Sequence, residues 1–476
     1  MKLNLFVTCI TILLVILITS TTCEINSIST YDVKQAIENG SDYAHVLELS
    51  LLFFEAQRSG KLPKDNRIPW RGDSALNDRG SNGEDLTGGY YDAGDFVKFG
   101  FTMAFTTTLL AWGAVSWPEA YKAAGQLDEI RKTVKWATDY FIKCHVSENV
   151  FYGQVGDFSI DHAFWGRPEE LNTSRPAYKI DAEHPGSDLA GETAAALAAS
   201  SIIFRNVDPE YSVKCLQHAK DLYKFADTHR GFYHTVIPGG QEFYESTGYG
   251  DELAWAAAWL FNATAEPKYL YDAIHHYQDF HLNERPTRFF YNNKVAGVQV
   301  LLAQLTGQSE YQNAVRAFCD FSVRQQTRTP KGLLYIDKSG TLSHAANVAL
   351  ICLAAADSEI GDSREYRQFA KEQIDYMLGA AGRSYVVGYG KDPPKQPHHS
   401  AASCSNRPVP CGWPELDRNA PNPQILYGAL VSGPDVADQF QDRRDDYIYT
   451  DVTLDYNAGF TSALAGLLQL QLKSVA

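Results

Sequence analysis

Apolar residues recur every three to four positions through about twelve stretches of the chain, near residues 33–59, 101–117, 127–146, 187–205, 209–230, 249–263, 267–282, 293–306, 309–326, 344–357, 363–379 and 454–472. That spacing buries one face of an α-helix. Two-residue alternation is nowhere sustained over comparable lengths, so the core is predicted to be helical. No 34-residue repeat emerges, which argues against a tetratricopeptide solenoid. Nothing caps the ends of an open stack, so twelve helices taken in pairs predict closure into a ring of six hairpins, an all-α barrel. Connections after the first, third, fifth, ninth and eleventh stretches are long and rich in glycine, proline and aromatics, whereas the others are mostly short. Long ordered connections at alternate junctions collect on one face of such a ring, where chemistry is expected.

The N-terminus departs from this pattern. The opening MKLNLFVTCITILLVILITSTTCEI places one lysine before an apolar run over residues 5–18, followed by small and polar residues. These are the parts of a secretory signal peptide, and the run is shorter than the ~20 apolar residues of a membrane span. Residues 1–23 are read as a leader, 24–476 as one domain, and the product as secreted, extracellular and free of the membrane. The 476 residues, 45% hydrophobic and 12% aromatic, suffice for one large core, with no Pro/Ser/Thr-rich linker to divide it. A monomer is expected.

Outside the leader, six cysteines in so long a chain do not make a disulfide scaffold. Cys404 and Cys411 flank the turn-rich SNRPVP and are the expected bridge, whereas Cys352, inside NVALICLAAA, is expected as a buried thiol. No Cys/His pair has zinc spacing. Sequons at Asn39, Asn172 and Asn262 suit a secreted glycoprotein. With 57 acidic against 42 basic residues, the net charge of −15 argues against nucleic acid or an anionic membrane as partner and is compatible with a neutral one.

Candidate chemistry lies in the connection after the first helix, WRGDSALNDRGSNGEDLTGGYYDAGDFVKFG. Asp92 and Asp95, three residues apart beside glycines, can converge on a metal ion or a water molecule, or can simply be a solvated turn with an acidic helix cap. Trp70, Tyr90, Tyr91, Phe96 and Phe99 lie around them, and aromatic rings stack on the apolar C–H faces of sugars.

This segment resembles the base-bearing segment of the glycoside hydrolase family 9 cellulases, the animal and especially the insect branch. YGQVGDFSIDHAFWGRPEELNTSRPAYKIDAEHPGSDLAGETAAALAASSIIF, TGYGDELAWAAAWLFNAT, RSYVVGYGKDPPKQPHHSAASC and DRRDDYIYTDVTLDYNAGFTSALA resemble that family's other blocks in order, covering nearly all of the chain after about Ser29. The resemblance implies an (α/α)6 barrel with a substrate cleft and an endo-β-1,4-glucanase acting by inversion, which needs one carboxyl to activate water and another to protonate the leaving oxygen. It implies Asp95 as the base, Asp92 as a holder of the water, and a β-1,4-glucan poly- or oligosaccharide as partner. No cofactor is required for the reaction.

Two positions depart from the family pattern. The acid glutamate that opens E-V-A-x-D-Y-N-A is Asp451 here, one methylene shorter, which withdraws the carboxyl by ~1.5 Å, and its reference pKa is lower. In P-H-H-R the arginine is Ser400, and a hydroxyl cannot supply a planar, charged, multi-donor fork. Reduced activity is the expectation, with a weakened glycan-binding paralogue or a shift to another β-1,4-glycan such as xylan as alternatives. His162, Trp165, His398, Ser400, Asp455 and Tyr456 fall at substrate-contact positions. Thr247, Gly248, Asp251 and Glu252 match a stretch that binds structural calcium in some members, though Asn292 and Asn293 stand where a further aspartate is expected.

Overall fold

The computed structural model describes residues 42–475, through which run twelve helices of at least twelve residues. In chain order they are α1 (Tyr43–Ala56), α2 (Gly100–Ser116), α3 (Leu127–Cys144), α4 (Ser187–Phe204), α5 (Pro209–Thr228), α6 (Gly250–Thr264), α7 (Pro267–Asp279), α8 (Val295–Thr306), α9 (Ser309–Arg324), α10 (Thr341–Asp357), α11 (Ser363–Asp375) and α12 (Leu454–Val475). The even-numbered helices form an inner ring, each packed on the next, and α12 closes the ring against α2. Behind them stand the odd-numbered helices, α3 on α2, α5 on α4, and so on round to α1 on α12. The first helix thus pairs with the last, and the barrel of helix pairs is the expected all-α (α/α)6 architecture.

Sequence decides which ring a helix joins. In α4, SDLAGETAAALAASSIIF, nearly every side chain is buried, and its small residues let neighbouring helices approach closely. By contrast α3 buries only one face, through Ile130, Val134, Ala137 and Phe141. Each large apolar side chain of that stripe stabilises the docked helix by ~1.5–3 kcal/mol. Outer helices also carry their own start signals. Asp208 caps α5 by accepting the Tyr211 N–H at 3.1 Å, ahead of Pro209, and Asp362 caps α11 through the Glu365 N–H at 3.0 Å. Such caps are worth ~1 kcal/mol.

Some boundaries differ from expectation. The leader, Asn39 and the expected first turns of α1 lie outside the described residues, and Asp42 caps the helix from Tyr43 onward. The eleventh stretch stops being α-helical at Asp375 and ends in a wider turn over Tyr376–Ala380. A small antiparallel sheet, unforeseen in the sequence, has β3 (Val150–Val155) paired with β1 (Lys98–Phe99), β2 (His145–Ser147) and β4 (Ala177–Ile180). These strands are too short to show a two-residue period. Residues 280–294, after α7, also form a long connection, so all six odd-to-even junctions along the chain are long. Cys404 and Cys411 form the expected disulfide, and Cys352 is a buried thiol beside Cys319.

Because long connections always lead into inner helices, the inner N-termini all point to the loop-bearing face. Acidic residues occupy several of those first turns, Asp188 in α4, Asp251 in α6 and Asp455 in α12, where the positive end of the helix dipole favours negative charge.

Candidate active site

Three loops meet over the inner ring and are pinned to one another by backbone hydrogen bonds. The first, residues 92–97, is closed by the Asp92 N–H on the Val97 carbonyl at 3.0 Å, and Gln57 steadies it from α1's end by donating to the Tyr91 carbonyl at 3.3 Å. The second carries His398, His399 and Ser400. The Ser400 N–H donates to the Gly94 carbonyl at 3.0 Å, and a Cβ on Gly94 would collide with the His398 carbonyl oxygen. That close approach explains the glycine of DAGD. The third, residues 447–455, receives the His398 N–H on the Thr450 carbonyl at 2.9 Å and sends the Leu454 N–H to the Asp92 carbonyl at 2.8 Å.

The pinned loops line an open cleft of about 560 Å³ that contains Asp92, Asp95, Asp161 and Asp451, with His162, Trp165, His398, Ser400 and Tyr456 around them. Asp95 Oδ2 lies 3.0 Å from His162 Nε2. That hydrogen bond to Asp95, more than the electrostatic attraction that accompanies it, raises the His162 ring against its partial burial, favouring the imidazolium. Asp92 is buried and accepts hydroxyl hydrogen bonds from Thr102, at 2.5 Å, and from Tyr244. Burial, with the neighbouring Asp455 and Asp95 charges, pushes its carboxyl well up. Asp451 accepts the Val452 N–H at 3.0 Å, and burial together with the Asp95 charge pushes it up to about 8. An aspartate here is held protonated at neutral pH, so the lower intrinsic pKa of aspartate is outweighed by its surroundings.

His398 is neutral by burial and fixed by the Arg444 carbonyl 2.6 Å from Nδ1, so Nδ1–H donates. Trp165 packs 5.3 Å from the His398 ring and gives its indole N–H to Ser403 at 2.9 Å. Ser400 borders the cleft, but its hydroxyl is committed to Gly166, donating to the carbonyl at 2.8 Å and accepting the N–H at 2.7 Å. Asp455 is not in the cleft wall. It is buried behind it, bonded to the Thr453 hydroxyl at 2.5 Å and pushed up to about 6 by burial.

Residues 43–464 match the family model described as Glycosyl hydrolase family 9. The chain belongs to glycosyl hydrolase family 9. The structure of an endoglucanase from the termite Nasutitermes takasagoensis is similar at 55% identity and a TM-score of 0.90, over 90% of this chain and 99% of that one. The structure of endoglucanase CelQ from Clostridium thermocellum complexed with cellotriose is similar at 34% identity and a TM-score of 0.80, covering 90% and 70%. Endoglucanase A of Bacillus pumilus is 44% identical over 90% of this chain, which spans 66% of that relative's length. This family 9 hydrolase is therefore alike in fold and sequence to endoglucanases.

Not all the calcium-type positions converge. Glu252 is fully buried with its carboxylate 2.6 Å from the Lys294 ammonium, which also meets Glu192 at 3.2 Å. Asp251 accepts the Lys294 N–H at 2.6 Å, the Ser246 hydroxyl donates to the Gly248 carbonyl at 2.6 Å, and Asn292 Oδ1 accepts the Thr247 N–H at 2.9 Å. With Glu252 spent on Lys294 and Asn292 neutral, Asp251, which also meets Glu252, is the one charged oxygen donor left on the Gly248 side. That set does not fit calcium, which takes six to eight oxygens.

Asp161, Tyr244 and Thr102 escaped the sequence reading. Asp161 and Tyr244 reach the cleft from positions 69 or more residues beyond Asp92, so no local pattern marks them, although Asp161 adjoins His162. Trp413 and Tyr447, about half exposed, add aromatic surface to the same cleft.

Proposed function

We propose that this family 9 protein is a secreted, monomeric endo-β-1,4-glucanase that hydrolyses its substrate with inversion, at a rate limited by its shortened acid. The reading rests above all on Asp451 held protonated in an open, aromatic-walled cleft that also holds Asp95.

In this scheme the glucan chain lies along the cleft with sugar faces against Trp165, Trp413 and Tyr447. Asp451 gives its proton to the leaving glycosidic oxygen as the C–O bond breaks. A water on the opposite face attacks the anomeric carbon and gives a proton to Asp95, whose carboxylate is oriented by His162. Asp92, expected as a holder of that water, has its two oxygens engaged by Thr102 and Tyr244 and in this scheme fixes the loop that presents the base. The reaction needs no cofactor.

The one-methylene withdrawal of Asp451, ~1.5 Å, lengthens the proton's path to the leaving oxygen, and ~1 Å of misplacement can cost about a hundredfold in rate. Reducing-sugar release from carboxymethylcellulose, xylan and lichenan, with Asp95→Ala as the blank, tests the reading. Release from the glucans above that blank is expected. Release from xylan alone would redirect the substrate, and release from none would leave a glycan-binding paralogue. N-terminal sequencing of the exported chain tests secretion, with cleavage near Cys23 expected.

A further inference from the structure

Beside the base and its histidine stands a third group, Asp161, that the hydrolytic scheme does not use. Asp161 ends the short helix Phe158–Asp161 and is 4% exposed. Its Oδ2 accepts the Phe96 N–H at 3.0 Å, but its Oδ1, like Asp95 Oδ1, is buried with no hydrogen-bond partner. The nearest cation, Arg175, is 4.0 Å from Asp161 Oδ1 and is committed to both Asp78 oxygens, at 2.7 and 3.3 Å, and to the Phe96 carbonyl at 2.9 Å. No lysine or arginine lines the cleft. Two carboxylate oxygens thus stand without a donor in a place where an unpaired buried acceptor is costly.

One ligand atom each from Asp95, Asp161 and His162 lies within 4.8 Å of the others. The His162 ring is 46% exposed, so the site is open to solvent from the cleft. We propose that Asp95, Asp161 and His162 form a site for a divalent transition-metal ion of the zinc type, and that an ion held there blocks hydrolysis by occupying the base.

The donor chemistry selects the ion. One imidazole nitrogen and two carboxylate oxygens with an open fourth position is a zinc set, whereas calcium and magnesium take more oxygens and no imidazole. Tetrahedral bonds of ~2.0–2.1 Å place ligand atoms about 3.3 Å apart, and Asp95 Oδ2 and His162 Nε2 are already 3.0 Å apart. Side-chain rotation closes the rest. His162 then releases its Nε2 proton to solvent and gives the freed lone pair to the metal in place of its contact with Asp95, and the carboxylate that should accept the proton of the attacking water is no longer free. Water or a small anion fills the fourth position.

Blockade of hydrolysis rests on the glucanase reading; ion binding does not. The test is calorimetric titration of the leader-free chain with zinc chloride, on the natural sequence and on Asp161→Asn and His162→Gln. One equivalent of zinc is expected to bind, reversed by EDTA, with affinity at least tenfold weaker in each variant, and magnesium should give no heat at this site. Affinity indifferent to both substitutions overturns the proposal. Should a variant fail to fold, the natural chain still decides the matter through cobalt(II), whose d–d absorption is expected to be intense and four-coordinate, and weak six-coordinate bands overturn the site. Carboxymethylcellulose hydrolysis that continues unchanged under saturating zinc overturns the blockade. A chain that binds zinc through these residues yet hydrolyses no glucan leaves the ion site standing and removes the glucanase reading. Hydrolysis combined with zinc affinity indifferent to both variants does the reverse.

Discussion

Restoring the missing methylene, Asp451→Glu, is the sharpest perturbation of the proposed chemistry. Asp451 is anchored at its backbone, its N–H on the Tyr447 carbonyl at 3.0 Å and its carbonyl on the Ser432 N–H at 2.8 Å, so a longer side chain extends the carboxyl while the loop stays in place. The surroundings that hold Asp451 protonated come from burial and from Asp95 and persist for glutamate. Reach is then what changes. A gain of ~1.5 Å toward the leaving oxygen corresponds to about a hundredfold in rate, or ~2.7 kcal/mol of transition-state stabilisation, within the ~10² to 10⁴ that general acid catalysis supplies. In steady-state kinetics on carboxymethylcellulose the increase is expected in kcat, with the Michaelis constant little altered. Ser400→Arg behaves differently. It abandons both hydrogen bonds to Gly166, each worth ~0.5–1.5 kcal/mol, and returns a charged grip on the sugar worth ~1.5–3 kcal/mol, so it should lower KM and also lower Tm. A folded Asp451→Glu chain whose kcat does not exceed that of the natural chain on any β-1,4-glucan refutes the argument that reach is limiting.

Other expectations follow from the same geometry. The Asp451 carboxyl, held up to about 8 against 3.8 when free, keeps a proton that the unfolded chain releases above about pH 4; stability therefore falls from there until the folded group titrates, and Asp451→Asn should flatten the drop in Tm between about pH 5 and pH 8. Gly94→Ala drives a Cβ into the His398 carbonyl and should cost about 1–3 kcal/mol in urea unfolding, with loss of hydrolysis as the base and histidine loops part. Calcium should leave the Tm of the natural chain unmoved, whereas Asn292→Asp, which adds a charged oxygen 2.9 Å from the Thr247 nitrogen, should make Tm rise with calcium. Proton NMR of the first hydrolysis product should show the α-anomer, since water enters opposite the leaving oxygen; initial β-anomer contradicts the scheme.

The long helices were legible because each has to bury a face or be buried whole, and both demands write a period into the sequence. α3, with Ile130, Val134, Ala137 and Phe141 on one stripe, shows it plainly. The closing pair α1 and α12 is separated by nearly the whole chain and shows only as two unpartnered ends. At the site, Asp92 and Asp95 stood out because both sit in one glycine-rich turn. Tyr244 bonds Asp92 across 152 positions, and Trp165 meets Ser403 across 238; contacts that far apart leave no local trace. Asp455 was expected at the substrate and lies behind the wall instead, because helix α12 turns its first-turn aspartate toward the buried Thr453 hydroxyl.

The two departures from the family pattern differ in kind, and the structure says how. Four aspartates line the cleft with no lysine or arginine among the lining residues, yet the charge is not left bare. Asp92 is pushed up by burial and held by two hydroxyls, Asp451 is held protonated, and the N-terminal ends of the inner helices face the same side. In the proposed scheme, an arginine at position 400 would therefore serve as a grip on the sugar and not as a counter-ion on which the carboxylates depend. Ser400 is tied into the docking of its loop on Gly166, whereas the Asp451 carboxyl accepts the adjacent Val452 N–H and, in the proposed scheme, falls short of the leaving oxygen. Reversal of Asp451 acts on chemistry alone, while reversal of Ser400 has to undo a structural contact before it can gain a functional one. Under the proposed scheme, Asp451 is thus the position at which a single substitution separates a slow glucanase from an enzyme devoted to another glycan.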